Sequence, residues 1–217
     1  MAPGIALEAI GKGRKKLTVL DPMMGSGTVL AVAGANGHRA VGIDLDPLAV
    51  LLGKVWTQPL DREALKKRAS IVLTKAKEEF SQIRVGAAYP AAADEETRKF
   101  VRYWFDPYAR RQLTALSRVI SRLRNPIEKD ALWCAFSRLI ITKSAGASLA
   151  MDLSHSRPHR QFETAPVKPF DKFLTAVEVI AANSPETASK KKLPPAQIHL
   201  GDARLESTLR LSQQHLS

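Results

Sequence analysis

The sequence has a single cysteine, Cys134, in 217 residues, which excludes an intramolecular disulfide. It also lacks a signal peptide and any apolar run long enough to span a bilayer, so we expect a cytoplasmic protein with no membrane partner. Cysteine and histidine nowhere cluster with metal-ligand spacing, and no metal site is expected.

Acids are few: 21 aspartates and glutamates stand against 33 lysines and arginines, for a net charge of +12. This surplus favours a polyanionic partner, since each neutralised phosphate releases counterions.

The common glycine motifs for nucleotide phosphates are missing as well. A phosphate-binding loop needs Gly-x-x-x-x-Gly-Lys-Ser/Thr, and no segment fits that pattern. A dinucleotide fold favours Gly-x-Gly-x-x-Gly, but Gly25 and Gly27 are followed by Leu30 where the third glycine would stand. Asp21 precedes these glycines. Its carboxylate would repel a pyrophosphate and would suit a ligand that carries an ammonium group.

What the sequence does contain is a strand, a glycine turn and a helix in residues 17–35. A short apolar run leads into Asp21 and Pro22, and an alanine-rich helical pattern begins at Thr28. Such a unit presents backbone N–H groups and a helix N-terminus to a ligand. A second strand is predicted to end at Asp44, about twenty residues beyond the glycines, where a nucleotide-binding βαβ unit places its ribose-hydroxyl acceptor.

The hydrophobic pattern predicts an α/β chain in which a helical segment separates the second strand from the third. A strand–helix–strand–helix unit is predicted in 1–58, a helical insertion in 59–195, and a returning third strand with a tail in 196–217. Within the insertion, the later helices are predicted at residues 95–105, 109–123, 127–141 and 170–182. The fold class is therefore a partial parallel sheet with a large helical insertion.

Three acids follow the three predicted strands. They are Asp21, Asp44 and Asp202. Parallel sheets bind ligands at the carboxyl ends of their strands, so these acids are expected to face one crevice.

Two segments resemble the cofactor-binding half of DNA methyltransferases that methylate the amino group of adenine or cytosine. They are Asp-Pro-Met-Met-Gly-Ser-Gly-Thr at 21–28 and Val-Gly-Ile-Asp-Leu-Asp-Pro at 41–47. The resemblance continues at residues 137–138, 143–146, 152–160 and 201–204, and so spans most of the chain. It implies a Rossmann-like methyltransferase fold. It also implies S-adenosylmethionine as cofactor, a molecule with an ammonium, a ribose and an adenine but no phosphate.

The resemblance implies a role for individual residues. Asp21 and the loop after it would hold the methionine part, and Asp44 would accept the ribose hydroxyls. Leu45 would lie against the adenine ring, and Asp202 would accept from its amino group. The full set of predicted cofactor-binding residues is Asp21, Pro22, Met23, Gly25, Ser26, Gly27, Thr28, Asp44, Leu45 and Asp202.

The catalytic tetrapeptide of that family, Asn/Asp/Ser-Pro-Pro-Tyr/Phe, does not occur in these 217 residues. Its polar groups accept hydrogen bonds from the target amine, and its ring stacks on the extruded base. The nearest segment, Phe-Asp-Pro-Tyr at 105–108, has one proline and lies between predicted helices. We therefore predict no catalytic residue here and no methyl transfer by this chain alone. A partial sheet would also leave an exposed edge at 197–200, where a C-terminal partner chain or a second copy would pair.

Arginines crowd the predicted helical insertion, together with aromatic residues. Positive side chains with interleaved rings suit a nucleic-acid backbone, so DNA is the expected partner. The residues predicted to contact it are Arg110, Arg111, Arg118, Arg157 and Arg160.

Three functions stay open from the sequence. The first is a DNA amino-methyltransferase or its cofactor-binding part, and the second is an RNA methyltransferase with the same loop. The third is a non-catalytic DNA-binding or partner module with a vestigial methyltransferase fold. A longer reading frame that carries Ser-Pro-Pro-Tyr would favour the first over the third, and a binding competition would separate DNA from RNA. The target base, adenine or cytosine, is open too.

Overall fold

The computed structural model describes residues 3–10, 15–140, 145–150, 160–185 and 195–208. The chain divides into two compact units. The first consists of Met1–Asp61 and Asn183–Ser217, and the second of Arg62–Ala182. Within the first unit the N–H of Leu60 donates to the carbonyl oxygen of Pro185 at 2.8 Å. The segment by which the chain leaves the first unit and the segment by which it returns are therefore adjacent.

The first unit contains a three-stranded parallel sheet in the order β1, β2, β3. Its strands are β1 Thr18–Asp21, β2 Arg39–Asp44 and β3 Gln197–Leu200. Asp21 pairs with Gly42, and Asp44 pairs with Leu200, so all three strands end on the same side of the sheet. The predicted α/β class with a parallel sheet is confirmed and is compatible with a Rossmann-like fold. The placement of the helical segment as an insertion in such a fold stays a prediction.

Three helices accompany these strands within the described residues of the first unit. They are α1 Pro3–Ile10, α2 Thr28–Ala35 and α3 Pro47–Thr57. The start of α3 follows from its sequence, because the Asp46 side chain accepts from the N–H of Leu48 and Pro47 occupies the first turn. The end of α2 follows from Gly37, whose φ of 81° is the left-handed conformation that terminates helices. These signals fix the end of α2 and the start of α3, and hence the position of the loops beside them.

A small apolar core joins the loop after β1 to the central strand. Met24 of the loop and Leu30 of α2 are both buried there. Gly42 of β2 makes this packing possible, because a Cβ at that position would lie 2.5 Å from Leu30 Cδ1 and 2.5 Å from Met24 Sδ. Any larger residue would force these two buried side chains to shift. The loop is thus held against the sheet by side-chain packing as well as by its backbone.

The sheet has unpaired edges on both sides within the described residues, because β2 is its central strand. Leu20 of β1 is 38% exposed and Leu200 of β3 is 60% exposed. A strand edge with exposed apolar side chains invites pairing with another strand. Pairing of the β3 edge with a partner chain or a second copy stays a prediction. The β1 edge is likewise unpaired within the described residues and carries an exposed leucine.

The second unit is helical throughout most of its described length. Its helices are α4 Arg62–Phe80, α5 Glu95–Trp104, α6 Pro107–Ser121, α7 Pro126–Ile140 and α8 Pro169–Asn183. α6 lies at the centre and contacts both α4 and α7. Apolar side chains that are fully buried, such as Leu116 and Ile120 of α6, form the core between them. This packing is what the apolar periodicity of the sequence predicts.

Asp106 shows why the Phe-Asp-Pro-Tyr segment at 105–108 is a helix boundary, as predicted from its sequence. One carboxylate oxygen accepts from the N–H groups of Tyr108 and Ala109 at 2.7 and 2.8 Å, and the other accepts from Ala165 N at 2.6 Å. Asp106 is therefore the N-cap of α6. Both of its oxygens serve the fold.

Cys134 lies inside the helical unit and is buried, as its apolar neighbours predict. Burial, and then the charge of Asp130, raise the pKa of its thiol to about 12. A thiol with that pKa is not a nucleophile at neutral pH.

The described residues contain no helix that is long and apolar enough to cross a membrane. They also contain no group of at least three histidines, cysteines or acids placed to hold a metal ion.

Candidate functional site

The loop between β1 and α2 owes its shape to two glycines. Gly25 and Gly27 have φ angles of 52° and 79°, in the left-handed region that favours glycine. A Cβ on Gly27 would lie 2.9 Å from Gly53 Cα, so only glycine lets the loop approach α3 this closely. The N–H of Gly27 donates to the carbonyl of Met24 at 2.9 Å and closes the turn. The sequence pattern predicted a tight turn here, and the structure gives it a defined conformation.

Asp44, at the end of β2, links this loop to the second strand. Its Oδ2 accepts from Gly25 N at 2.8 Å, and its Oδ1 accepts from Asp46 N at 2.9 Å. A carboxylate oxygen has a second lone pair, so each can accept a further bond from a ligand hydroxyl. Asp44 is only partly buried and remains accessible to such a ligand. Its side chain therefore shapes the loop and still has acceptor capacity on the open side.

The start of α2 offers donors on the same loop. Its N-cap is Gly27, which has no side chain to bond the first N–H groups of the helix. The first N–H groups of any helix lack partners within the helix, and they carry its positive dipole end. The cap residue thus leaves them available to an acceptor, such as the carboxylate of an amino-acid ligand.

Asp202 follows β3 and is held by Arg204. The guanidinium donates from Nε to both carboxylate oxygens at 3.0 Å and from Nη2 to Oδ2 at 2.6 Å. This hydrogen bonding, reinforced by a bond from the backbone N–H of Arg204, lowers the pKa of Asp202 to about 2. Asp202 is therefore ionised at neutral pH. The preceding residue, Gly201, donates its N–H to the carbonyl of Asp44 at 3.0 Å, which joins the ends of β2 and β3.

These strand ends surround a cavity of about 440 Å³. That volume lies within the range of roughly 300–1,000 Å³ that is usual for small-molecule sites. The lining residues are Pro22, Met23, Asp44, Leu45, Gly201, Asp202, Ala203 and Arg204. The structure thus brings together residues that are far apart in the sequence, at the carboxyl end of the sheet where parallel folds bind ligands.

The cavity contains part of the predicted cofactor-binding set. Its members in the lining are Pro22, Met23, Asp44, Leu45 and Asp202. The remaining members are not in the lining and belong to the glycine loop and its flanks, namely Asp21, Gly25, Ser26, Gly27 and Thr28. Of these, Asp21 accepts from Met23 N at 3.2 Å and shapes the turn. Arg204 also lines the cavity and was not among the predicted residues, because its contact with Asp202 depends on the local backbone conformation.

Two large apolar side chains at the cavity are highly exposed to solvent. Met23 is 83% exposed and Leu45 is 62% exposed. An exposed large apolar residue beside a concave site is a natural contact for a flat ring, because covering it removes apolar surface from water. These side chains and the acids give the cavity both an apolar wall and hydrogen-bond acceptors.

In the second unit, two of the arginines predicted to contact nucleic acid are engaged inside the unit. Arg110 is 6% exposed, and its Nη1 donates to the hydroxyl of Tyr89 at 2.9 Å. Arg111 donates to the carbonyls of Ile83 and Phe80 at 2.7 and 2.9 Å. Its guanidinium also stacks on the Phe80 ring, 4.1 Å from the centroid. Both side chains thus have structural partners, which periodicity alone did not indicate.

The other predicted nucleic-acid contacts differ in their surroundings. Arg118 is exposed, and its Nη2 lies 3.5 Å from the carbonyl of Ala87. Arg160 is exposed as well and pairs in an antiparallel bridge with Ala150. Arg157 lies outside the described residues. Arg118 and Arg160 therefore have guanidinium groups that can reach an external anion.

Over 96 residues the chain is 32% identical to the type II methyltransferase M.MjaII of Methanocaldococcus jannaschii. The match covers 44% of this chain and 18% of the length of that relative. No family model matches the chain. No solved structure matches it. The similarity supports a methyltransferase at the level of the enzyme class.

Proposed function

We propose that this chain is the cofactor-binding part of an S-adenosylmethionine-dependent methyltransferase that acts on an exocyclic amino group of a DNA base. The observation that carries the proposal is the cavity at the carboxyl ends of the three strands. There Asp44 is bonded to the glycine loop through Gly25, at the position where the sequence predicts a ribose acceptor.

The charges around the cavity favour this cofactor over one with a pyrophosphate. Asp44 and Asp202 both line the cavity, and its one lining arginine, Arg204, is paired with Asp202. The lining therefore keeps a net negative charge, that of Asp44, which a diphosphate would meet without an unpaired cation to offset it. S-adenosylmethionine carries an ammonium and a sulfonium, and both are attracted by carboxylates.

The residues of this chain fit the cofactor in separate parts. Asp44 would accept from the ribose hydroxyls, Asp21 and the start of α2 would face the methionine end, and Leu45 would cover the adenine. Bound in this way, S-adenosylmethionine would supply a methyl group on a positively charged sulfur. The task of these residues is to bind and orient that group. They contribute no acceptor for the target amine.

The DNA substrate is supported by two different observations. The similarity to a type II methyltransferase favours this class of enzyme. The net charge of +12 favours a polyanion, and Arg118 and Arg160 are exposed in the helical unit. Residues such as these would contact phosphates and therefore position the DNA rather than read its sequence.

Calorimetric titration with S-adenosylhomocysteine tests the cofactor assignment. We expect one site per chain, and no comparable binding of ATP or NAD, whose phosphates the acidic cavity would repel. S-adenosylhomocysteine keeps the ammonium, the ribose and the adenine, so it tests the same contacts without a reactive methyl group. Binding of NAD with equal or higher affinity would contradict the proposal, and so would the absence of any binding by a folded chain.

A further inference from the structure

The helical unit has a second concave site that the proposed cofactor role does not use. It is a cavity of about 710 Å³. Arg98, Arg118 and Arg122 line it, together with the rings of Tyr89 and Trp133. No acidic residue is present in its described lining. We refer to the cavity with these five residues as the arginine groove.

Tyr89 concentrates positive charge at the groove. The guanidinium carbons of Arg98, Arg102 and Arg110 lie 5.3, 6.0 and 5.1 Å from the centre of its ring. Its hydroxyl accepts from Arg110 at 2.9 Å and from Arg102 at 3.4 Å. The negative face of the ring and the hydroxyl oxygen offset part of the repulsion among the three cations. The sequence does not show this cluster, because its members come from a loop and two helices.

Carboxylates neutralise only part of this charge. Arg102 pairs with Glu95 at 2.7 Å, and Arg122 pairs with Glu79. Within the described residues Arg98, Arg110 and Arg118 have no ion pair with an acid. Gathering like charges without counter-charges costs free energy, so a fixed cluster of this kind is typical of an anion-binding site.

A smaller and mostly apolar cavity of about 220 Å³ adjoins the groove. The two share Trp133, and Phe105, Phe136 and Arg110 also line the smaller one. Arg110 is 6% exposed, and its Nε has no hydrogen-bond partner in the described part of the chain. A buried donor without an acceptor is costly, and a ligand with an acceptor atom would satisfy it. The pair of cavities therefore offers cations, an aromatic wall and a buried donor side by side.

We propose that the arginine groove binds a single-stranded segment of nucleic acid. Its phosphates lie on Arg98, Arg118 and Arg122, and an unstacked base lies against Trp133 with an acceptor atom toward Arg110. A phosphate chain supplies the anions that the groove lacks, and bases supply flat rings that stack on aromatic side chains. In a duplex the base faces are already stacked, so the half-buried Trp133 is accessible only to an unpaired base. The inference shares the nucleic-acid partner of the proposed function and is independent of the cofactor.

Fluorescence anisotropy with a labelled, mixed-sequence single-stranded oligonucleotide tests this site. The combined variant Arg98→Gln, Arg118→Gln and Arg122→Gln should bind more weakly. The slope of log affinity against log salt should fall by about 2, since each phosphate contact on a single strand contributes ~0.7. The matched control is Lys67→Gln, Lys75→Gln and Lys77→Gln, which removes the same charge from exposed positions on α4. It should leave the slope unchanged.

The aromatic wall is tested separately from the charges. Trp133→Leu should lower the affinity for the single strand by about tenfold, the usual effect of losing one stacked base. Its affinity for a duplex of the same sequence should stay the same, and its melting temperature will show whether it folds. The arginine variant alters exposed side chains only, so it decides the question even where Trp133→Leu is unstable.

Several outcomes would overturn the proposal. They are an equal loss of affinity in the arginine and lysine variants, a wild-type affinity for duplex as high as for the single strand, and competition by a mononucleotide at equal molar concentration.

Titration of the same proteins with S-adenosylhomocysteine separates the two sites. Loss of strand binding with intact cofactor binding supports the groove. Duplex binding without preference for the single strand would contradict the proposal for the arginine groove and would leave the proposed function unaffected. Failure to bind either form of DNA contradicts both the groove and the DNA partner.

Discussion

The purified chain should transfer no labelled methyl group from S-adenosylmethionine to mixed-sequence DNA. Methyl transfer to an exocyclic amine needs its hydrogens held by acceptors and its nitrogen aligned with the methyl carbon. In the DNA amino-methyltransferases that the sequence resembles, the Asn/Asp/Ser-Pro-Pro-Tyr/Phe tetrapeptide supplies these acceptors. That tetrapeptide does not occur in the 217 residues. Alignment of two reactants is worth up to about 7–11 kcal/mol, so without it the rate should fall by many orders of magnitude. Scintillation counting of the DNA after long incubation measures the amount of methyl label transferred.

The control for this assay is a second polypeptide that carries Ser-Pro-Pro-Tyr in a strand–loop context, added to the same chain and DNA. Restored transfer would show that the cofactor and the DNA were both competent. Robust transfer by the chain alone would contradict the expectation. Both oxygens of Asp106 are engaged in the fold, so Asp106→Asn, which keeps one oxygen to cap α6, would then show whether that segment is involved.

Asp44→Ala should weaken the binding of S-adenosylhomocysteine by about 1.5–3 kcal/mol, the usual value of a hydrogen bond to a charged group. This corresponds to roughly a ten- to hundredfold rise in the dissociation constant. The variant also loses the acceptor that holds Gly25 N at 2.8 Å, so the glycine loop would no longer be held for the ligand. Calorimetry of the folded variant measures the change.

Asp46→Asn is the matched control for that variant. It removes a negative charge two residues away, while its amide oxygen can still accept from Leu48 N and cap α3. Its affinity should stay within about twofold of wild type, because an exposed charge acts weakly through water. An Asp44→Ala protein that is folded and binds with unchanged affinity would remove Asp44 from the site.

The helices of this chain were largely predictable, because local signals set their ends. Asp46 with Pro47 starts α3, and Gly37 ends α2, as the sequence indicates. The prediction of α6 was less accurate, since the helix begins at Pro107 instead of Ala109. Proline is favoured in the first helical turn, and Asp106 caps the helix, so the signal was present in the residues just before the predicted start.

The candidate site was predictable in its strand ends but not in its hydrogen bonds. Three acids after three strands indicated the edge of the sheet, and Asp44 and Asp202 line one cavity there. The bond from Gly25 to Asp44 and the pairing of Asp202 with Arg204 depend on backbone geometry, which a sequence pattern does not contain. The roles assigned to these residues stay predictions.

The arginines of the helical unit were the least predictable feature. A count of basic residues treats Arg110 and Arg118 alike, yet the first is buried against Tyr89 and the second is exposed. The difference is one of tertiary contacts, because Arg110 is covered and bonded by Tyr89 whereas Arg118 reaches only the carbonyl of Ala87, at 3.5 Å. Tyr89 itself lies in an alanine-, glycine- and proline-rich stretch that gave no sign of organising three guanidinium groups.

A crystal structure of the chain grown with saturating S-adenosylhomocysteine tests the central claim most directly. We expect ligand density in the cavity at the strand ends, with ribose hydroxyls on Asp44 and the adenine on Leu45. Ligand bound elsewhere while that cavity stays empty would contradict it, as would crystals of the folded chain that contain no ligand at saturating concentration.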